Sequence, residues 1–205
     1  MRAVDLVTDR RKGRIYTVGR LDEDTEGLVL LTNDGEFANR ISHPRYGVHK
    51  TYWVDVRGRV DEETLRRMHA GVRLAEGWSK FERVRVAKKS EERSILFVTL
   101  GEGKNREVRR VLANLGLPVR TLRRVAIGSL RDRKLKIGQW RPLSLTEVGE
   151  LLEETGEDRR GRGTVERGFS LRPELRKPRR STRPRAQFNP KGRAHRGRKP
   201  HRSTH

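Results

Sequence analysis

Two short apolar runs, residues 15–18 and 28–31, flank a polar segment, and the second run ends in Asn33-Asp34-Gly35. That pattern predicts two strands around a loop, closed by a turn. Gly19 and Gly27 bracket the loop, where the backbone needs unusual dihedrals or close approach to another group. Phe37 and Ile41, four residues apart, predict a short helix over 36–42 that stops before His43-Pro44. Residues 50–57 alternate with period two, placing Tyr52, Val54 and Val56 on one strand face and Thr51, Trp53 and Asp55 on the other. Asp61 is set to N-cap a helix over 62–70, with Gly71 as its stop. Strands are predicted over 72–75, 81–87 and 94–100. A further helix over 106–115 turns Val108, Val111, Leu112 and Leu115 inward, with Gly116 closing it. Ser144 and Glu147 form a capping box, with Leu143 and Val148 as its staple, opening a last helix.

Charge changes the picture beyond that helix. Residues 159–205 carry 17 Lys/Arg against Glu166 and Glu174, together with most of the prolines. Such a segment buries too little apolar surface to offset its ordering entropy. It is expected to be a disordered Arg/Lys-rich tail (157–205) behind a folded domain (1–156). A chain of about 155 residues can bury roughly 70% of its unfolded surface, enough for an ordinary core. The formal charge of the 205 residues is +22, which calls for a polyanionic partner. No run of 18 apolar residues occurs, the N-terminus has no signal-peptide core, and the apolar residues of the tail are scattered among prolines rather than gathered on one face. Nucleic acid, not membrane, is the expected partner. There are no cysteines, so disulfides, thiolate metal sites and cysteine adducts are excluded and carboxylate chemistry stays open; a cytoplasmic location is expected. The six histidines show no ligand spacing, and no metal is expected.

Two stretches carry candidate chemistry. Asp22 falls at a strand end beside Arg20, and a carboxylate held on rigid elements next to a guanidinium is a candidate nucleophile or acid/base group. Spacing alone favours a solvated loop whose acids are Asp22, Glu23, Asp24 and Glu26. Around Lys104 two glycines invite a phosphate-loop reading, but Gly-x-x-x-x-Gly-Lys-Ser/Thr is absent, which argues against triphosphate binding. Arg106, Arg109 and Arg110 stand at the start of the predicted helix, where cations oppose its dipole. They call for a carboxylate or phosphates nearby, or else form a solvated basic face. Trp78 receives no functional account.

Arg20-Leu21-Asp22, Thr25 and the run from Gly27 through Leu30, Leu31, Thr32, Asn33 and Asp34 to Gly35 resemble the signature of the RsuA/RluB/RluE/RluF family of rRNA pseudouridine synthases. Lys50-x-Tyr52 is similar to that family's second element. Asn105-Arg106-Glu107-Val108-Arg109-Arg110 is similar to a third, in a form closer to the RluB-like large-subunit members. Leu122-x-Arg124, Ile127-Gly128, Leu135, Gly138 and Arg141-Pro142-Leu143 extend the resemblance to about residue 153.

The resemblance implies an α+β fold, with a mixed, mostly antiparallel, bisected sheet, helices on one side and a cleft across its middle. It implies isomerisation of uridine to pseudouridine in rRNA, the large-subunit (23S) molecule above all, without a cofactor and with the nucleotide flipped out of its helix. Asp22 would be the catalytic carboxylate, attacking C1′ or taking a ribose proton; the resemblance leaves both open. Tyr52 would pack on the base and handle its proton. Arg109 would meet and orient Asp22, and Val108 would form an apolar wall under the base. Arg20 would fill the space left by the flipped base or contact phosphate, and Lys50, Lys104, Asn105, Arg106 and Arg110 would bind RNA. The expected partner is rRNA or a pre-ribosomal particle, met by a monomer. Relatives usually begin with a strand carrying an Asn-Lys-Pro-like segment, and many have an S4-type RNA-binding domain before it. Neither is in this sequence, so a short form or a late start codon is expected. A non-catalytic rRNA-binding or ribosome-assembly factor on the same fold is the alternative.

Overall fold

The computed structural model describes residues 3–7, 13–131 and 134–155. The chain divides into a unit over Met1–Arg162 and a second over Gly163–His205; the second unit, and with it the expected tail, lies outside the described residues. In chain order, β1 (Tyr16–Val18) is followed by β2 (Thr25–Gly27), β3 (Leu30–Thr32), helix α1 (Gly35–Ser42), β4 (Lys50–Arg57) and α2 (Glu62–Ala70). Then come β5 (Val72–Leu74), β6 (Gly77–Ser79), β7 (Arg83–Lys89), β8 (Arg93–Leu100), α3 (Glu107–Asn114), β9 (Val119–Ile127) and α4 (Leu145–Glu153).

Five strands form the main sheet in the order β2-β9-β4-β8-β7. Every pairing in it is antiparallel except that of β2 with β9, so the sheet is mixed and mostly antiparallel, as expected. β1 pairs antiparallel with β3, and β5 with β6, as separate two-stranded ribbons. β4 is hydrogen-bonded on both edges, which suits its alternation: Val54 and Val56 are fully buried in the main core with Leu96, Val98 and Leu122. A second cluster gathers Val18, Leu30, Ile41, Val48 and Leu151 under β1, β3, α1 and α4.

The caps expected of Asp61 and of Ser144 with Glu147 form, and Asp34, read from the sequence only as part of a turn, is a helix cap as well. Asp34 caps α1 by accepting hydrogen bonds from the Glu36 and Phe37 amides (2.9 and 3.0 Å), and Asp61 caps α2 through the Thr64 amide (2.7 Å). Ser144 and Glu147 make the reciprocal capping box of α4. Strands β2, β6 and β9 were not predicted. Thr25-Glu26-Gly27 has no apolar alternation and is a strand because its backbone pairs with β9. The Arg123-Arg124 pair interrupts the alternation of β9. Helix α3 starts one residue later than predicted, with Arg106 as its N-cap in the left-handed region (φ 48°, ψ 31°).

Candidate active site

The segment 19–28 is fixed at both ends. Val18 pairs with Leu30 at the β1–β3 ribbon; Gly19 then turns the chain away with φ +72°. A turn follows in which the Asp22 carbonyl accepts a hydrogen bond from the Thr25 amide (3.0 Å). β2 lies against β9, with Gly27 opposite Arg124, and the Leu28 amide donates to the Arg124 carbonyl (2.9 Å). Gly27 has φ +112°, and a Cβ there would stand 2.2 Å from the Arg124 carbonyl oxygen. Only glycine satisfies both conditions. Asp22 is thereby held at the head of a turn with its side chain 26% exposed.

Each of the three arginines at the start of α3 finds a carboxylate, which answers why cations occupy that end. Arg106 grips Asp24 with both terminal nitrogens (3.0 and 2.9 Å), and its Nη1 is 3.6 Å from Asp22 Oδ2. Arg109 donates from Nη2 to the Asp24 carbonyl (2.6 Å), and its Nε lies 3.3 Å from the Asp24 carboxylate. Arg110 clasps Glu76. These contacts correct one expectation: the guanidinium within ion-pair range of Asp22 is that of Arg106, and Arg109 holds Asp24. The cause is depth. Arg109 lies inside the first turn of α3, its side chain only 13% exposed, reaching the backbone of the turn and the Val119 carbonyl. Arg106, at the N-cap, is 42% exposed and spans both acids. The Arg106 hydrogen bond, followed by the nearby charges of Arg109 and Arg106, holds Asp24 below the ordinary carboxylate range. Arg110 holds Glu76 at about 2.

Tyr52 is half-buried on β4, packed against the main core, with Val98 opposite on one side and Arg124 on the other. Lys50 sits two residues earlier on the same face. Burial first, and the charge of Arg124 second, push the Lys50 ammonium down to about 8. A lysine whose folded value lies below its ordinary 10.5 binds its proton more weakly in the native state, so it destabilises the fold below about pH 8. That penalty fades as pH rises from 8 and is gone above the unfolded value. Lys50→Met is therefore expected to be more stable than wild type at pH 7, by on the order of 2 kcal/mol, with the difference vanishing above pH 10.5. Thermal unfolding of both chains from pH 7 to 11 measures this; a constant difference contradicts it.

Val108 is 4% exposed, inside the main core. Lys104 donates from Nζ to the Trp78 carbonyl (2.9 Å) and pairs with Glu102 (3.2 Å). The Asn105 carbonyl accepts from Arg110 (3.3 Å). Arg20 is exposed, and its carbonyl faces Arg124 Nη1 (3.5 Å). The structure thus gathers Asp22 with Arg106, Asp24 and Arg109, and sets Lys50 and Tyr52 beside Arg124 on adjoining strands. Lys104 and Arg110 instead tie the β5–β6 ribbon to the start of α3. An open hollow lined by Glu23, Asp24 and Arg106 lies at the turn; another, of about 250 Å³, is lined by Trp78, Ser79 and Lys104 among others and includes none of Asp22, Tyr52 and Arg109. Asp24 was missed as a member of this cluster. The cations at the head of α3 were the available signal for Asp24, since they called for a carboxylate. Among the described residues no His/Cys/Asp/Glu group is arranged to hold a metal ion, and no helix is long and apolar enough to cross a membrane.

Comparison with known proteins agrees with this architecture. Residues 3–114 match the RNA pseudouridylate synthase family. An uncharacterized RNA pseudouridine synthase of Aquifex aeolicus is 43% identical over 143 residues, covering 70% of this chain and 57% of that protein. Ribosomal large subunit pseudouridine synthase B of Bacillus subtilis is 43% identical over 151 residues, covering 71% of this chain and 62% of the relative. A crystal structure of a pseudouridylate synthase superposes with a TM-score of 0.63 at 31% identity, covering 73% of this chain and 64% of the other. The chain belongs to the RNA pseudouridylate synthase family. It spans about 60% of the length of these two relatives.

Proposed function

We propose that this chain converts uridine to pseudouridine at specific positions of rRNA, with the large-subunit molecule as substrate. The observation that carries the proposal is Asp22, a carboxylate on a segment fixed at both ends and faced by Arg106 at 3.6 Å, in a chain of this family. The name of the Bacillus subtilis relative supports the large subunit. The reaction needs no oxidant or reductant: the C1′–N1 bond is exchanged for C1′–C5, N1 gains a proton and C5 loses one. All of it can be run by side chains that position a nucleotide and move protons. A base in a stacked helix is out of reach, so the uridine is flipped into the site.

Asp22 attacks C1′ or takes the ribose proton. Arg106 orients it directly, while Arg109 acts one residue removed, by fixing the turn through Asp24. Tyr52 stacks on the uracil, with Lys50 beside it, and Val108 supports the apolar side from the core. Arg20, exposed at the mouth of the loop, meets phosphate or the vacated stack. Lys104, Asn105 and Arg110 act on RNA through the framework of the ribbon and α3. The basic residues of 159–205 add sequence-independent affinity that falls with salt. The protein works as a monomer in the bacterial cytoplasm, where rRNA is assembled.

Unmodified 23S and 16S transcripts, incubated separately with the full chain and mapped for pseudouridine, test the substrate assignment. Product at one or a few positions of the 23S transcript alone is expected. Product on 16S only, or tight binding of 23S with no product, contradicts it, the latter in favour of a non-catalytic binding factor.

A further inference from the structure

Arg124 is a buried charge that the reaction described above does not use. It is 4% exposed, and among the described residues no carboxylate pairs with it. Arginine is rarely buried without a counter-ion, because the desolvated guanidinium needs its donors matched. Here the matching groups are backbone carbonyls of the segment that carries Asp22. Nε donates to the Leu28 carbonyl (2.7 Å), and Nη1 reaches the Arg20 carbonyl (3.5 Å). Nη2 is buried with no partner among the described residues. The backbone of the same residue accepts from the Leu28 amide (2.9 Å), and its strand leaves no room for a side chain at Gly27.

Arg124 thus touches the segment on both sides of Asp22, two residues before it and six after. On its other flank it stands opposite Tyr52 and close enough to Lys50 to lower that lysine's proton affinity. From these contacts we infer that Arg124 is a positioning residue: it clamps residues 20 and 28 and so sets where the Asp22 carboxylate stands relative to Tyr52. The inference rests on Asp22 being the reacting group. A lysine at 124 keeps the positive charge but has one nitrogen centre, which cannot span two carbonyls. The side-chain tie between residues 20 and 28 would then be lost while the backbone pairings that bound the segment remain, and misplacement of a reacting group by about 1 Å costs on the order of 10²-fold in rate.

The test compares wild type, Arg124→Lys and Arg124→Gln as full chains, on unmodified 23S rRNA. Three quantities are read: the single-turnover rate of pseudouridine formation at saturating enzyme, the RNA dissociation constant, and amide hydrogen exchange. The expected result is a rate lower by about 10²-fold in Arg124→Lys, with RNA affinity within a few fold of wild type. Exchange should be faster in residues 20–28 while β4 and β8 keep their protection. Two results overturn the inference. One is a rate close to that of wild type with residues 20–28 as protected as before. The other is a loss of protection spread over β4 and β8 in both variants, with the rate falling only in step with the folded fraction. If wild type itself makes no pseudouridine, the reading of Asp22 fails, and the exchange measurement alone decides whether Arg124 clamps the segment.

Discussion

Gly27→Ala should lose the site and much of the stability of the domain. Two costs fall on that one methyl group. The φ of +112° is a region that side chains with a Cβ rarely adopt, worth about 1–3 kcal/mol of strain by itself. The Cβ would also stand 2.2, 2.6 and 2.9 Å from the Arg124 carbonyl oxygen, amide nitrogen and carbonyl carbon. All three are backbone atoms of β9, a strand hydrogen-bonded to β4 on its other edge, so they cannot yield as a side-chain tip would. Either β2 separates from β9 or the sheet distorts. The expected destabilisation is at least about 3 kcal/mol, a fall in Tm of roughly 10 °C for a domain of this size, with product formation lost. Gly19→Ala is the control: its φ is also positive (+72°), but nothing lies within 4 Å of the added Cβ. It should cost about 1 kcal/mol. Equal unfolding temperatures for the two variants would contradict this account of the loop.

Asp22→Asn should abolish pseudouridine formation, by at least about 10³-fold in single-turnover rate, while RNA affinity stays within a few fold. Two acids compete for the catalytic role, and their surroundings separate them. The Asp24 carboxylate is gripped by both terminal nitrogens of Arg106 and approached by Arg109, so its lone pairs are committed to holding the turn. Asp22 accepts no side-chain hydrogen bond among the described residues and has one ion-pair contact, at 3.6 Å. A carboxylate so placed is oriented yet still free to react. Asp24→Asn should therefore act indirectly, by loosening Arg106 and Arg109, and cost about 10- to 100-fold in rate. A larger loss at Asp24 than at Asp22 would exchange their roles.

Much of the fold was readable because its signals are local. The caps of α2 and α4 are short-range hydrogen bonds between residues three apart, and β8 alternates buried and more exposed residues along its whole length. β2 and β9 carry no such mark. Thr25-Glu26-Gly27 becomes a strand through a parallel partner almost a hundred residues away, and β9 buries an arginine where alternation asks for an apolar residue. In the site, the glycines at 19 and 27 and the misplaced cations of α3 were legible as physics, and both turned out to be conformational or ionic necessities. The partner of each arginine was not. Asp22 and Asp24 lie two residues apart in one turn, and only the depth of Arg109 and the left-handed backbone of Arg106 decide which guanidinium reaches which acid. Arg124 was visible as part of a matching segment, but its contacts with residues 20 and 28 arise from tertiary pairing and leave no trace in spacing.

Release of tritium from large-subunit rRNA transcribed with [5-³H]uridine follows the isomerisation itself, because joining C1′ to C5 must expel the hydrogen there. Release by the wild-type chain is expected to stop at one or a few tritium atoms per RNA, with none above background from Asp22→Asn at matched RNA occupancy. No release from wild type under conditions where it binds the RNA tightly, or equal release by Asp22→Asn, would contradict it.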